Sequence, residues 1–164
     1  MNTTSPEPVE RVSAFLRQTG GEARIEEFSA DTPTAAAAAE AVGCGLDQIV
    51  KSLVLVCDGT PVVALVPGDR RGDTAKIARA LGAKSARVAT AEEVEIATGF
   101  APGAVAPFPL PNVRAVYLER TLLRHPRVWA GAGSERHLVS LAPTELARLA
   151  QAQSMDVVQA ENDG

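Results

Sequence analysis

The sequence predicts a single α/β domain of α+β character, with a mixed β-sheet and flanking helices. Three observations predict it. Segments of helical periodicity alternate with apolar strand segments, which sets helices against a sheet. Two of the strands are joined by Asp58-Gly59, a hairpin signal that a purely parallel sheet does not use. The 164 residues, 46% of them hydrophobic, suffice for one core, and no internal repeat or composition break divides them.

The elements follow in order. "VERVSAFLRQTG" (9–20) is an amphipathic helix, with Val9, Val12, Phe15 and Leu16 on one face and Gly20 as its stop. "ARIEEF" is a short strand. "DTPTAAAAAEAVGCG" is a helix ended by Gly43; Thr32 caps it with Pro33 in the first turn, or Thr34 caps it directly. "QIVKSLVLVCDGTPVVALVPGD" holds the hairpin strands, nearly continuous in apolar residues and so covered on both faces. Asp73 caps a helix that runs to Leu81 and stops at Gly82. "SARVA" is a strand, and Thr90 with Glu93 forms a capping box for "TAEEVEIATG". "VRAVYLE", "RVWAGAG" and "HLVSLAP" are strands. "TELARLAQA" closes the fold as a helix, capped by Thr144 or begun by Pro143, and residues 157–164 read as a frayed tail.

Composition excludes several classes. No apolar run approaches the ~20 residues of a membrane span, and "MNTTSPEPVERV" lacks the basic start and apolar stretch of a signal peptide, so a cytoplasmic protein is expected. Cys44 and Cys57 are too few for a disulfide framework; both sit in apolar surroundings and read as buried, inert thiols. His125 and His137 are the only histidines, with no HExxH, CxxC or carboxylate cluster, so no metal site is expected. "GAGSER" lacks the third glycine of a dinucleotide fingerprint and stands between strands. The net charge is −4, yet Arg70, Arg71, Lys76, Arg79, Lys84 and Arg87 face only Asp69 and Asp73 in one stretch. That stretch is either a polyanion-binding stripe or a solvated helix face.

Three features carry possible chemistry. Lys51 interrupts an apolar strand, where it is buried for a role or snorkels out at the strand start. His137 follows a glycine-rich turn, as a structural histidine or as a base or water-orienting group. "TGFAPGAVAPFPLP" (98–111) is long, apolar, uncharged and stiffened by four prolines. Its glycines admit close backbone approach, and its prolines preset the N–H groups of Gly103, Ala104 and Val105 to hold a carbonyl or carboxylate oxygen. The alternative is a stiff crossover that covers the core.

"QIVKSLVL", "GDRRGDTAKIARALGA", "ATGFAPGAVAPF" and "GAGSERHLVSLAPTEL", in this order and spacing, resemble the YbaK-like family of aminoacyl-tRNA deacylases. That superfamily includes the editing domain inserted in bacterial prolyl-tRNA synthetases. The resemblance covers residues 8–158, leaving 1–7 and 159–164 as flexible tails, and implies one α/β domain with a curved mixed sheet. It implies hydrolysis of the ester between a wrong amino acid and the terminal ribose of a tRNA, without a cofactor or metal. The family lysine falls on Lys51, the G-x-x-x-P element on Gly103 and Pro107, the threonine at the pocket edge on Thr34 with Thr32 as rival, and the synthetase histidine on His137. Ala104 and Val105 would then limit the side chain admitted, and Arg70 and Arg71 would lead the contacts to the acceptor end of the aminoacyl-tRNA. A synthetase is a possible partner. A tRNA- or synthetase-binding module that has lost hydrolysis is the competing class.

Overall fold

The computed structural model describes residues 7–161. Within them lie helices α1 (Glu7–Thr19), α2 (Ala35–Val42), α3 (Thr74–Leu81), α4 (Ala91–Thr98) and α5 (Pro143–Ala150). The strands are β1 (Ala23–Glu27), β2 (Ile49–Cys57), β3 (Thr60–Pro67), β4 (Ala86–Val88), β5 (Val116–Glu119), β6 (Val128–Gly131), β7 (His137–Leu141) and β8 (Gln153–Met155). They form one mixed 8-stranded sheet, ordered β1-β7-β6-β2-β3-β5-β8, with β4 also pairing β2. The β2–β3 hairpin turns on Asp58 and Gly59, both at positive φ, as its two-residue loop requires.

Strand β2 organises the sheet around the site. One of its edges pairs with β3 from Val50 to Cys57. The other is divided: β6 takes Ile49 and Val50, and β4 takes Leu55 to Cys57. Between these partners Lys51, Ser52 and Leu53 have no strand neighbour on that side, and the sheet opens there.

Both faces are covered, as the apolar strands require. On one face Val50, Val54, Val63 and Leu65 pack beneath Val12 and Leu16 of α1, Leu146 and Leu149 of α5, and Phe100 and Phe108 of the proline-rich loop. On the other, Leu55, Ala64 and Val66 meet Ile77 of α3, while Ile49 and Leu138 meet Ala38 and Ala39 of α2. Each fully buried Phe or Leu contributes about 1.5–3 kcal/mol.

Several local expectations resolve or change. Thr34, not Thr32, caps α2: its side chain accepts from Ala37 N at 3.1 Å. Pro143 begins α5, with no side-chain cap. Residues 157–159 are not frayed. Val157 and Val158 are buried in the α3 layer, and Val157 O and Arg71 O accept from Asp73 N and Gln159 N, each at 2.8 Å. Glu119, 1% exposed, holds the same segment by accepting from Val157 N at 3.0 Å and Thr121 N at 2.9 Å. Glu7 already belongs to α1, Ala160 and Glu161 are exposed, and the other expected tail residues, 1–6 and 162–164, lie outside the described residues.

Candidate active site

A cavity of about 160 Å³ occupies the opening beside β2. Thr34, Ala35 and Ala38 wall it from the start of α2, Lys51 and Ser52 from β2, and Gly103 and Val105 from the proline-rich loop. Gly131, Ser134 and Leu138 close the far side.

The loop covers the core with some residues and lines the cavity with others. Ala104, Ala106 and Phe108 are buried in the core, while Gly103 and Val105, on the alternate positions, face the cavity. Ala101 to Ala104 form a turn closed by Ala104 N donating to Ala101 O at 3.0 Å, with Pro102 and Gly103 at its centre. Gly103 has φ +83°, the conformation that this turn position demands of glycine. The turn corrects one expectation: the Ala104 N–H is consumed internally and is no free donor. The N–H groups of Gly103 and Val105 have no protein acceptor among the described residues. The loop lies directly on β6, where a Cβ at Gly131 would stand 2.8 Å from Val105 O. At its start, Arg11 sits 4.5 Å from the Phe100 ring centroid and donates to Gly99 O.

Lys51 is half-buried, and its Nζ donates to Arg70 O at 2.9 Å. Burial lowers its pKa, the Asp69 carboxylate opposes that shift, and the Arg71 charge adds to it. Beside it the Ser52 Oγ is buried with no hydrogen-bond partner among the described residues. An ammonium has three donors, and the bond to Arg70 O uses one of them.

His137 is 6% exposed and does not line the cavity; Ser134 does. The Ser134 Oγ lies 2.5 Å from His137 Nδ1, and His137 Nε2 lies 3.5 Å from a Glu27 carboxylate oxygen. The turn carrying Ser134 is strapped to the segment before α2. Glu135 O accepts from Thr32 N at 2.5 Å and Thr32 Oγ1 at 2.9 Å, and Arg136 pairs with Asp31 at 2.9 Å. Thr32 is thus a strut and Thr34 a helix cap, and both line the cavity.

The structure brings Thr34, Lys51, Gly103 and Val105 together and sets five expected residues apart, His137 among them. Ala104 is buried beneath the loop. Pro107 is buried on a separate cleft with Phe15 and Phe108, where the alternation of the loop has ended. The Arg70 guanidinium is engaged by Gln159 O at 2.6 Å and Glu161 at 3.4 Å. Arg71 is exposed, close enough to Lys51 to shift it. The basic stripe is partly neutralised, since Lys76 pairs with Asp156 at 2.9 Å and Arg87 with Glu93 at 2.7 Å. Arg71, Arg79 and Lys84 have no carboxylate partner among the described residues. Cys57 is buried and Cys44 half-buried; burial and a neighbouring aspartate raise both thiols, which disfavours the reactive thiolate. Sequence reasoning missed Ser52 and Ser134. Their only signals were adjacency to Lys51 and a place inside "GAGSER". No described helix is long and apolar enough to cross a membrane.

The comparisons with known proteins agree on one family. The profile described as "Aminoacyl-tRNA editing domain" matches residues 29–149. The uncharacterised protein YwhH of Bacillus subtilis is 35% identical over 136 residues, covering 82% of this chain and 86% of its own. EbsC of Enterococcus faecalis, named as a candidate Cys-tRNA(Pro)/Cys-tRNA(Cys) deacylase, is 29% identical over 135 residues, 82% of each chain. A crystal structure described as a candidate trans-editing enzyme for prolyl tRNA synthetase superposes with a TM-score of 0.86 at 39% identity, covering 96% of this chain and 100% of that one.

Proposed function

This chain belongs to the aminoacyl-tRNA editing domain family, and from that premise we propose that it is a trans-editing deacylase. Its substrate is a mischarged tRNA bearing a small amino acid such as alanine, cysteine, serine or threonine. The observation that carries this reading is one cavity lined by Lys51 and by Gly103 and Val105, whose backbone N–H groups have no protein acceptor among the described residues.

The chemistry follows from those groups. The N–H groups of Gly103 and Val105 receive the ester carbonyl oxygen and its developing negative charge. They are fixed before the substrate arrives, so they need no reorganisation, and one such donor is worth about 10²–10³ in rate. Lys51 adds a point charge for the ester or the terminal phosphate. Water adds to the carbonyl carbon, the ester C–O bond breaks, and the ribose hydroxyl leaves. The products are a free amino acid and an uncharged tRNA, and no cofactor takes part.

The cavity walls set specificity by size. Ala35, Ala38, Val105 and Leu138 bound a cavity of about 160 Å³, which the side chain shares with the ester. A pocket of this kind separates substrates differing by one methylene only weakly, so exclusion of larger side chains is the filter. A tRNA for proline is the first acceptor to try, given the printed descriptions of EbsC and of the 39%-identical structure. A synthetase would add tRNA affinity to an acidic protein whose basic stripe is partly spent.

The test is amino acid release from proline tRNA charged in turn with alanine, cysteine, serine, threonine and proline. Release of one or more small residues, with prolyl-tRNA spared, supports the proposal. Binding without release from any of them overturns it and marks a binding module.

A further inference from the structure

We infer that Ser134 is the hydroxyl through which His137 acts on the ester, as a proton relay between the attacking water and the imidazole. The inference rests on the deacylase reading and specifies which groups of that site move the proton. His137 is enclosed and absent from the cavity wall, so it cannot meet water or ester there directly. Ser134 is on the wall, and its Oγ is 2.5 Å from Nδ1.

The polar contacts around the pair favour one direction of transfer. Arg136 N donates to Ser134 Oγ at 3.1 Å and occupies one of its two lone pairs, while the carboxylate opposite Nε2 can only accept and so favours a proton on that nitrogen. Nδ1 is then the acceptor, and the ring proton sits on Nε2, facing the Glu27 carboxylate at 3.5 Å. A hydroxyl donating to an imidazole whose far nitrogen faces a carboxylate is the resting arrangement of a base-activated hydroxyl. Glu27, on β1, is the acid that meets the ring across the sheet edge. Of the charged residues adjoining it in the turn, Arg136 is paired with Asp31, and Glu135 projects toward Gly103, 3.8 Å from where its Cβ would stand.

The relay is also joined to the proposed oxyanion donors. Gly133 N, one residue before Ser134, donates to Ala104 O at 3.1 Å, between Gly103 and Val105. One short span of backbone thus sets the distance between the base and the carbonyl oxygen.

The step balances. As the water oxygen adds to the carbonyl carbon, its proton passes to Ser134 Oγ, and the Ser134 proton passes to His137 Nδ1. Glu27 faces the imidazolium that forms. On collapse the ester C–O bond breaks, and the proton returns through Ser134 to the departing ribose oxygen. Serine and histidine end as they began.

The experiment measures single-turnover release from the substrate that the wild-type protein deacylates fastest, for Ser134→Ala, Ser134→Thr, His137→Gln and the Ala/Gln double variant. General-base assistance is worth about 10²–10⁴. The relay predicts a loss of about 10²-fold or more for Ser134→Ala at unchanged half-saturating substrate and Tm, and substantial retention for Ser134→Thr. It predicts a similar loss for His137→Gln and little further loss in the double variant. Rates in mixtures of light and heavy water curve for the wild type, with two protons in flight, and are linear for the alanine variant. Ser134→Ala within twofold of wild type overturns the relay, as do losses that merely track Tm. An amino acid trapped covalently on Ser134 overturns it too, since the serine is then the nucleophile. A wild-type protein that releases nothing from any charged tRNA overturns the deacylase reading and the relay with it. Wild-type release with an unaffected Ser134→Ala overturns the relay alone.

Discussion

Gly131→Ala tests whether the loop's position, rather than its mere presence, makes the site. Gly131 lies on the cavity wall outside the positive-φ region, so alanine there brings no backbone strain. Its new methyl would stand 2.8 Å from Val105 O, 3.5 Å from Val105 C and 3.7 Å from Ala104 C. Carbon contacts settle near 3.5 Å, so the loop retreats by roughly 0.7 Å. The retreat carries the Val105 and Gly103 N–H groups away from the carbonyl oxygen. A misplacement of about 1 Å costs about 10²-fold, so a 10- to 100-fold fall in single-turnover deacylation is expected. Overpacking costs about 1–3 kcal/mol, or a few degrees in Tm. Gly82→Ala is the control: its φ is +77° and nothing lies within 4 Å, so it strains the end of α3 far from the cavity. It lowers Tm and spares the rate. A Gly131→Ala protein that loses stability but deacylates at the wild-type rate refutes the reasoning.

Lys51→Met keeps the apolar stem and removes the charge; deacylation falls about 10²-fold or more, and Tm stays level or rises because burial disfavours the charged amine. A thermal melt and a single-turnover assay check both, and a wild-type rate contradicts the electrostatic role. Glu119→Ala strips the acceptor from Val157 N and Thr121 N and costs about 3 kcal/mol in urea unfolding; a loss under about 1 kcal/mol contradicts its anchoring role. The Arg87 hydrogen bonds, with the backbone N–H of Thr90, hold the Glu93 carboxyl near 2, against an ordinary 4.5. Its folded value is depressed, so its stabilisation is full above pH 4.5 and disappears as pH falls toward 2. The Tm advantage of wild type over Glu93→Gln therefore shrinks across that window, and a constant difference contradicts the assignment.

What the sequence showed and hid follows from which interactions are local. The Asp58-Gly59 turn, the Asp73 and Thr90 caps and the glycine stops involve neighbours within a few residues, and each forms as expected. Lys51 was conspicuous because a charge inside an apolar strand contradicts its surroundings. The proline-rich loop posed a choice between core cover and ligand wall; alternate residues are buried or line the cavity, which only the packed structure separates. Ser134 and His137 are near neighbours, but Glu27 reaches them only through the β1–β7 pairing. Arg70 looked free for RNA because Glu161 and Gln159 arrive from the far end of the chain. The polar C-terminus concealed Val157 and Val158, two valines that suffice to dock it.

The most direct test of the site is amide chemical-shift mapping with alanyl-adenosine joined by an amide in place of the labile ester. The proposed geometry predicts that the Gly103 and Val105 N–H resonances move downfield as they take the carbonyl oxygen. It also predicts that the Ala104 N–H, committed to Ala101 O, moves little, and that Lys51→Met weakens the binding. Saturable binding that leaves Gly103 and Val105 unmoved and shifts residues remote from β2 contradicts the account.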